Sequence, residues 1–153
     1  MRVRDWMSPD PVTVTPSTHV AEARRLLDSY GVRHLPVMGH GRVVDMISDR
    51  DVRVSRAALR QVTERLAANG RAAVAEDGGI GLIVSAVTST PVHVVTVDED
   101  VESAARLLLS RRISALLVLD DGALVGLITT TDCLLASLTP PNATEPAKEL
   151  SLS

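Results

Sequence analysis

The chain repeats itself. Aligning Val20 with Val101, an offset of 81 residues, pairs Ala23 with Ala104, Leu26-Leu27 with Leu107-Leu108, Leu35 with Leu116 and Val37 with Val118, without a gap. Gly41, Val44, Ile47 and Asp51 then meet Gly122, Val125, Ile128 and Asp132, and 12 of the 32 positions from 20 to 51 are identical. A repeat of this kind decides the fold before any local propensity does. Each copy, at roughly 50 residues, is near the size at which a single core becomes marginal, so the two copies are expected to fold together.

Each copy reads as the same series of elements. Val12-Thr13-Val14 and Val94 to Val97 are short β-branched strands. Ser17 and Asp98 then serve as helix N-caps. Val20, Ala23, Leu26, Leu27 and Tyr30 form one helical stripe, repeated by Val101, Ala104, Leu107 and Leu108. Gly31 suits a C-terminal cap, and Arg112 replaces it in the second copy. Hairpins follow. The first runs from His34 to Ser48 through Gly39-His40-Gly41, the second from Ala115 to Thr129 through Asp120-Asp121-Gly122. The near-continuous apolar strands of the second hairpin imply burial on both faces. A further helix starts at Asp51 and at Asp132, where an acid favours a helix N-terminus.

After the first copy, Val52 to Asn69 reads as a long helix ended by Gly70, with Leu59, Val62 and Leu66 as its buried stripe. Residues 71–79 read as an exposed loop, and the tail from Thr139, with Pro140-Pro141, as disordered. The expected organisation is a first repeat with its linker helix over 1–70, a second over 71–138 and a tail over 139–153. The fold class is α/β (α+β): two βαββα repeats packed sheet to sheet with pseudo-twofold symmetry, leaving clefts along the axis.

Composition excludes several functions. A net charge of −3 and a pI of about 5.8 argue against nucleic-acid binding, and Arg53, Arg56 and Arg60 read as a solvated helix face. Lys148 is the only Lys among sixteen basic residues. Arg suits bidentate phosphate contacts, although base composition alone accounts for such a count. Cys133 is single, so no intrachain disulfide or cysteine zinc cluster forms. Its place at a helix start is compatible with a lowered thiol pKa or with a buried structural role. His19, His34, His40 and His93 lack metal-ligand spacing, and no metal is expected. No apolar signal core, membrane-length run, nucleophile elbow, P-loop or HExxH motif is present, so a cytoplasmic, non-enzymatic protein is expected. Trp6 and Tyr30 are the only aromatics. The core is therefore aliphatic and no stacking cage is available for a base.

The segments PVTVTPSTHVAEARRLLDSYGVRHLPVMGHGRVVDMISDRD and VVTVDEDVESAARLLLSRRISALLVLDDGALVGLITTTD, with the lead-ins Val3–Met7 and Val84–Thr88, resemble the CBS domain. The resemblance covers about residues 3–138 and rests on the order of all elements, twice. It implies a tandem pair (Bateman module) with clefts for an adenosine-containing ligand such as AMP, ADP, ATP or S-adenosylmethionine. It also implies a homodimer that signals to a separate effector protein, with no catalytic cofactor.

The resemblance places the ligand signature at Ser48-Asp49-Arg50-Asp51 and Thr129-Thr130-Thr131-Asp132. A carboxylate can accept the ribose hydroxyls, a Ser or Thr hydroxyl can donate to phosphate, and the helix start offers free N–H groups. The alternative is that Asp51 and Asp132 only cap helices. The residues entering the second strand, Val32, Arg33, His34, Leu35 and Pro36 in one copy and Ile113, Ser114, Ala115, Leu116 and Leu117 in the other, are also implied contacts. Arg33, His34 and Arg50 are cationic or titratable, and the second set is not, so the first site is expected to prefer more phosphate. Arg33 and His34 also fit a solvated rim. Adenine is expected near Thr13-Val14 and Val94-Val95, flanked by Pro11, Val12 and His93. Two departures bear on the first site: Asp45 stands where the second copy has Gly126, and Asp49 adjoins Arg50. Asp45 must face solvent or pair with an Arg. Trp6 reads as an anchor for the N-terminal arm. The competing reading of the whole chain is a ligand-free oligomerisation scaffold with filled clefts.

Overall fold

The computed structural model describes residues 1–68, 82–88 and 91–140. Gly70, the loop 71–79 and the tail beyond 140 lie outside the described residues, as does the side chain of Leu66. In chain order the elements are α1 (Val3–Trp6), β1 (Ser8–Pro9), α2 (Val20–Tyr30), β2 (His34–Gly39), β3 (Arg42–Ser48), α3 (Asp49–Ala68), α4 (Val84–Val87), β4 (Val94–Thr96), α5 (Val101–Arg111), β5 (Ala115–Asp120), β6 (Ala123–Thr129) and α6 (Thr130–Leu138). They gather into two compact units. One is Val12–Thr90, here the first-repeat unit. The other joins Met1–Pro11 to the chain from Pro91 onward, here the second-repeat unit.

In the second-repeat unit the strand order is β1-β6-β5-β4. β4 runs parallel to β5, the α5 crossover joining them, and β5 turns antiparallel into β6. Such a parallel pair needs a helical crossover. Leu116, Leu117, Val118 and Ile128 are almost wholly buried, as the apolar run required. Leu116, Val118 and Ile128 share one cluster with Val3, Val95, Ala104, Leu108, Cys133 and Ala136, and Trp6 and Met7 pack against it. Burial of each large aliphatic side chain contributes roughly 1.5–3 kcal/mol. The first-repeat unit repeats the plan around Val14, Val20, Ala23, Leu27, Leu35, Val37, Ile47 and Val52. Here a single parallel bridge from Val14 to Val37 takes the place of β4, so Val12 and Thr13 are not strand residues as expected.

Several local expectations change. The N-caps of α2 and α5 are His19 and Asp100, neither with a side-chain cap. Ser17 and Asp98 lie two residues earlier, in turns; the Thr15 and Thr18 hydroxyls close the first turn, and the Asp98 carboxylate is taken by Arg4. Gly31 does end α2 in the left-handed conformation, φ 62°, and Arg112 adopts the same conformation, φ 55°, after α5. Both hairpin turns contain two residues rather than three, His40-Gly41 and Asp121-Gly122. All four have positive φ, as the twist of a two-residue hairpin demands. On α3, Val52 is buried and Leu59 half-buried, but Val62 is 50% exposed and does not extend the stripe.

The lead-ins are exchanged between the repeats, and the exchange keeps the offset of 81. Val3 N–H donates to Glu99 O at 2.9 Å, and Val84 N–H to Thr18 O at 2.8 Å. Val101 N–H donates to Met1 O, and Val20 N–H to Leu82 O. Arg4 N–H reaches Val97 O, and Ser85 N–H reaches Pro16 O. Each unit therefore contains a one-turn helix from the other repeat, α1 in one and α4 in the other, with Val3 and Val84 wholly buried. The segment preceding each strand is short and apolar, and it satisfies backbone groups that its own repeat leaves free for its counterpart.

Candidate functional site: two helix starts at equivalent positions

The strand-to-helix junction is built alike in both units. In the first-repeat unit the strand register sets His34 opposite Ser48. Asp51 N–H donates to Ser48 Oγ at 3.1 Å, and Ser48 N–H donates to Asp51 Oδ2 at 2.9 Å. In the second-repeat unit Ala115 stands opposite Thr129. Thr129 N–H and Oγ1–H both donate to Asp132 Oδ2, at 2.8 and 2.9 Å, and Asp132 N–H lies 3.3 Å from Thr129 Oγ1. Both are reciprocal capping boxes. Each Asp is thus the third residue of its helix, not the first as expected, because the Ser or Thr ahead of it takes the cap position. The first N–H of each helix is held by the residue just ahead of a neighbouring strand: Asp49 by Arg33 O at 2.8 Å, Thr130 by Ser114 O at 3.1 Å.

Capping and ligand binding make different demands on a carboxylate. Oδ2 of each Asp is used by its cap, and Oδ1 has no hydrogen bond among the described residues. Asp51 and Asp132 are both partly exposed, so one oxygen anchors the helix while the other remains an open acceptor. Burial pushes Asp132 above its ordinary range, opposed by the bonds from the Thr129 backbone and hydroxyl. The same surroundings, with the Asp132 charge, raise the Cys133 thiol. Cys133 is a buried core side chain whose thiol is pushed up rather than down, which favours the structural reading over the activated thiol.

The two junctions differ in charge. Burial holds His34 below its usual value; Asp51 and Asp49 pull it up and Arg33 pushes it down. Arg33 and Arg50 are exposed and form no ion pair among the described residues. Asp49 is held between Arg53 at 3.1 Å and Arg24 at 3.8 Å. The sequence placed Asp49 beside Arg50 and named no partner for it. The i,i+4 spacing to Arg53 was the available signal, whereas Arg24 comes from another helix and left none. The corresponding positions Ser114, Thr130 and Thr131 are exposed and uncharged.

The remaining expected residues divide by burial. Val14, Leu35, Pro36, Val95, Ala115 and Leu116 give their side chains to the cores. The Val14 backbone is also engaged, its N–H to Pro36 O and its carbonyl to Met38 N–H. Thr13 and Val94, equivalent under the repeat, are exposed. His93 accepts from Leu117 N–H through its carbonyl, and His19 is exposed. Asp45 is half-buried and takes the Met46 N–H at 2.8 Å, so among the described residues its partner is backbone and not an Arg. Among the described residues no group of His, Cys, Asp and Glu could hold a metal ion, and no helix is long and apolar enough to cross a membrane.

Comparison with known proteins identifies this arrangement. The family model for the CBS domain matches twice, at residues 3–57 and 84–139. The CBS domain-containing protein YhcV of Bacillus subtilis (strain 168) is 31% identical over 130 residues, covering 85% of this chain and 81% of that one. The crystal structure of CBSX2 in complex with AMP is similar at a TM-score of 0.67 and 29% identity, over 90% of this chain and 96% of that one. The CBS domain pair of protein MJ0100, in complex with 5-methylthioadenosine and S-adenosyl-L-methionine, matches at a TM-score of 0.67 and 25% identity, over 86% and 91%. With two copies of one βαββα unit, matched by that family model at both, the chain belongs to the CBS-domain family.

Proposed function

We propose that the chain is a regulatory, non-catalytic module that binds an adenosine-containing ligand (AMP, ADP, ATP or S-adenosylmethionine) at the starts of α3 and α6. One observation carries the reading. The same Ser/Thr-x-x-Asp capping box recurs at the repeat offset, each time with a carboxylate oxygen that no described residue bonds beside a helix N-terminus. The adenosine ligands in the CBSX2 and MJ0100 structures support it. In this reading Asp51 and Asp132 accept ribose hydroxyls, and Thr13 and Val94 border the adenine.

The charge difference gives the two sites different preferences. Arg33, His34 and Arg50 favour phosphate at the first. The equivalent positions of the second, Ser114, Thr130 and Thr131, are uncharged, and the Thr129 hydroxyl is held by Asp132, which suits a ligand with less negative charge. The module works as a homodimer that reports to a separate effector protein. The exposed apolar side chains of its helices support an assembly: Leu109 on α5, Leu134 and Leu138 one turn apart on α6, and Val54 on α3.

Thermal denaturation with each of the four ligands tests the reading. A ligand at a hundred times its Kd should stabilise the native protein by about 2.7 kcal/mol per site. Asp51→Ala and Asp132→Ala should each remove one site's share of that increment, measured against the variant's own ligand-free baseline. No increment with any ligand would leave the scaffold reading in its place.

A further inference from the structure

The exchanged N-terminal arm carries an inference beyond ligand binding. Among the described residues, the inter-element bonds of residues 1–10 go to the second-repeat unit, although the arm leads directly into the first repeat at Val12. Val3 N–H, Arg4 N–H and Asp10 N–H donate to Glu99, Val97 and Val125 carbonyls, and the Arg4 side chain pairs with Asp98. Ser8 and Pro9 add an edge strand beside Leu127 and Gly126. Val3 fills the core, and Met7 lies over Gly126, where only the missing Cβ admits it. The arm is a self-contained plug with a complete socket.

The connection out of the plug is strained. Asp10 has φ 48°, in the left-handed region, and Pro11 follows it. A residue before proline is sterically driven to extended conformations, and an L side chain disfavours the left-handed region on its own account. Pro9 and Pro11 on either side stiffen the segment, so the strain at Asp10 has little chain over which to spread. Short strained hinges of this kind are released when an identical element comes from another molecule.

We propose that a second copy of the chain supplies the arm in trans. Residues Met1–Pro11 of one molecule dock in the second-repeat unit of another, and reciprocally, giving an arm-exchanged dimer. Every contact of the closed form is kept, and Asp10 extends. The partner is this same chain, and the recognising chemistry is the backbone ladder to Glu99, Val97, Val125 and β6, with Arg4 on Asp98.

The test separates donor from acceptor. Chains carrying Arg4→Cys and chains carrying Asp98→Cys are unfolded in urea, refolded together at high concentration and treated with a short bis-maleimide. Both positions are half or more exposed, so neither change burdens the core. Arm exchange gives a mixed cross-linked dimer, severalfold over same-variant pairs, and Asp10→Gly, which relaxes the hinge, reduces its yield. The chain carrying both changes should cross-link internally after refolding at low concentration. Refolded chains that give no mixed product above the same-variant background overturn the proposal. So does failure of the double variant to close internally, since the arm would then not occupy its socket.

Discussion

Replacing Gly126 by alanine probes the fit of the arm at its tightest point. A Cβ built there lies 2.6 Å from Met7 Sδ and 2.9 Å from Ser8 O. The thioether is the flexible end of a side chain and can swing away at small cost. The Ser8 carbonyl is backbone, fixed by the pairing of Ser8 with Leu127 and Pro9 with Gly126. Relief therefore requires β1 to lift from β6, which loosens a segment whose Val3 is wholly buried. Overpacking of this kind costs about 1–3 kcal/mol. For a chain of this size each kcal/mol lowers Tm by about 2–4 °C. Urea denaturation gives the cost directly, and hydrogen exchange at Val3, Arg4 and Asp10 shows where it falls. Adding Met7→Ala should recover only part of the loss, because the carbonyl remains. A Gly126→Ala protein as stable as the parent, with those amides equally protected, would refute the close approach of arm and sheet.

Other consequences are independent of the arm. Ser48→Ala and Thr129→Ala each remove one capping box and should cost about 0.5–2 kcal/mol in urea denaturation. Equal stability in both would mean that the boxes contribute nothing. Arg112→Gly should stabilise the protein by roughly 1 kcal/mol, since glycine adopts the left-handed conformation without the Cβ penalty; a lower Tm would contradict this. Burial holds His34 below its ordinary 6.5, so the unfolded chain takes the proton first as pH falls. Stability should then decline as pH drops below about 6.5, towards the depressed native value. Asp132 has the opposite sign: its raised pKa makes the native state bind the proton first, and acidification through the range above 3.8 should favour folding. Denaturation across pH 4–8 in the parent and in His34→Asn checks the first effect, which requires a shallower slope in the variant.

The repeat made most of the architecture legible. Apolar positions such as Leu35 with Leu116 and Ile47 with Ile128 recur under one offset, and each pair is buried in an equivalent core. The Ser/Thr-x-x-Asp pattern was legible too, because a capping box is a local interaction with fixed spacing. What escaped the sequence was non-local or backbone-borne. The exchange of α1 and α4 depends on which carbonyls accept Val3 and Val84, and carbonyls carry no residue identity. The capping of Asp49 and Thr130 by Arg33 and Ser114 oxygens is hidden for the same reason. Arg24 reaches Asp49 from another helix, beyond any spacing rule. Ser17 and Asp98 failed as caps because good N-cap residues also stabilise turns, and here the helix begins two residues later.

An amide-resolved NMR titration with AMP tests the central claim most directly. The backbone N–H signals of Asp49–Val52, at the start of α3, should shift saturably with ligand, and those of Thr130–Cys133 should follow with S-adenosylmethionine. Asp51→Ala and Asp132→Ala should silence one set each. Saturable binding whose shifts fall elsewhere, or helix starts that ignore all four ligands, would contradict it.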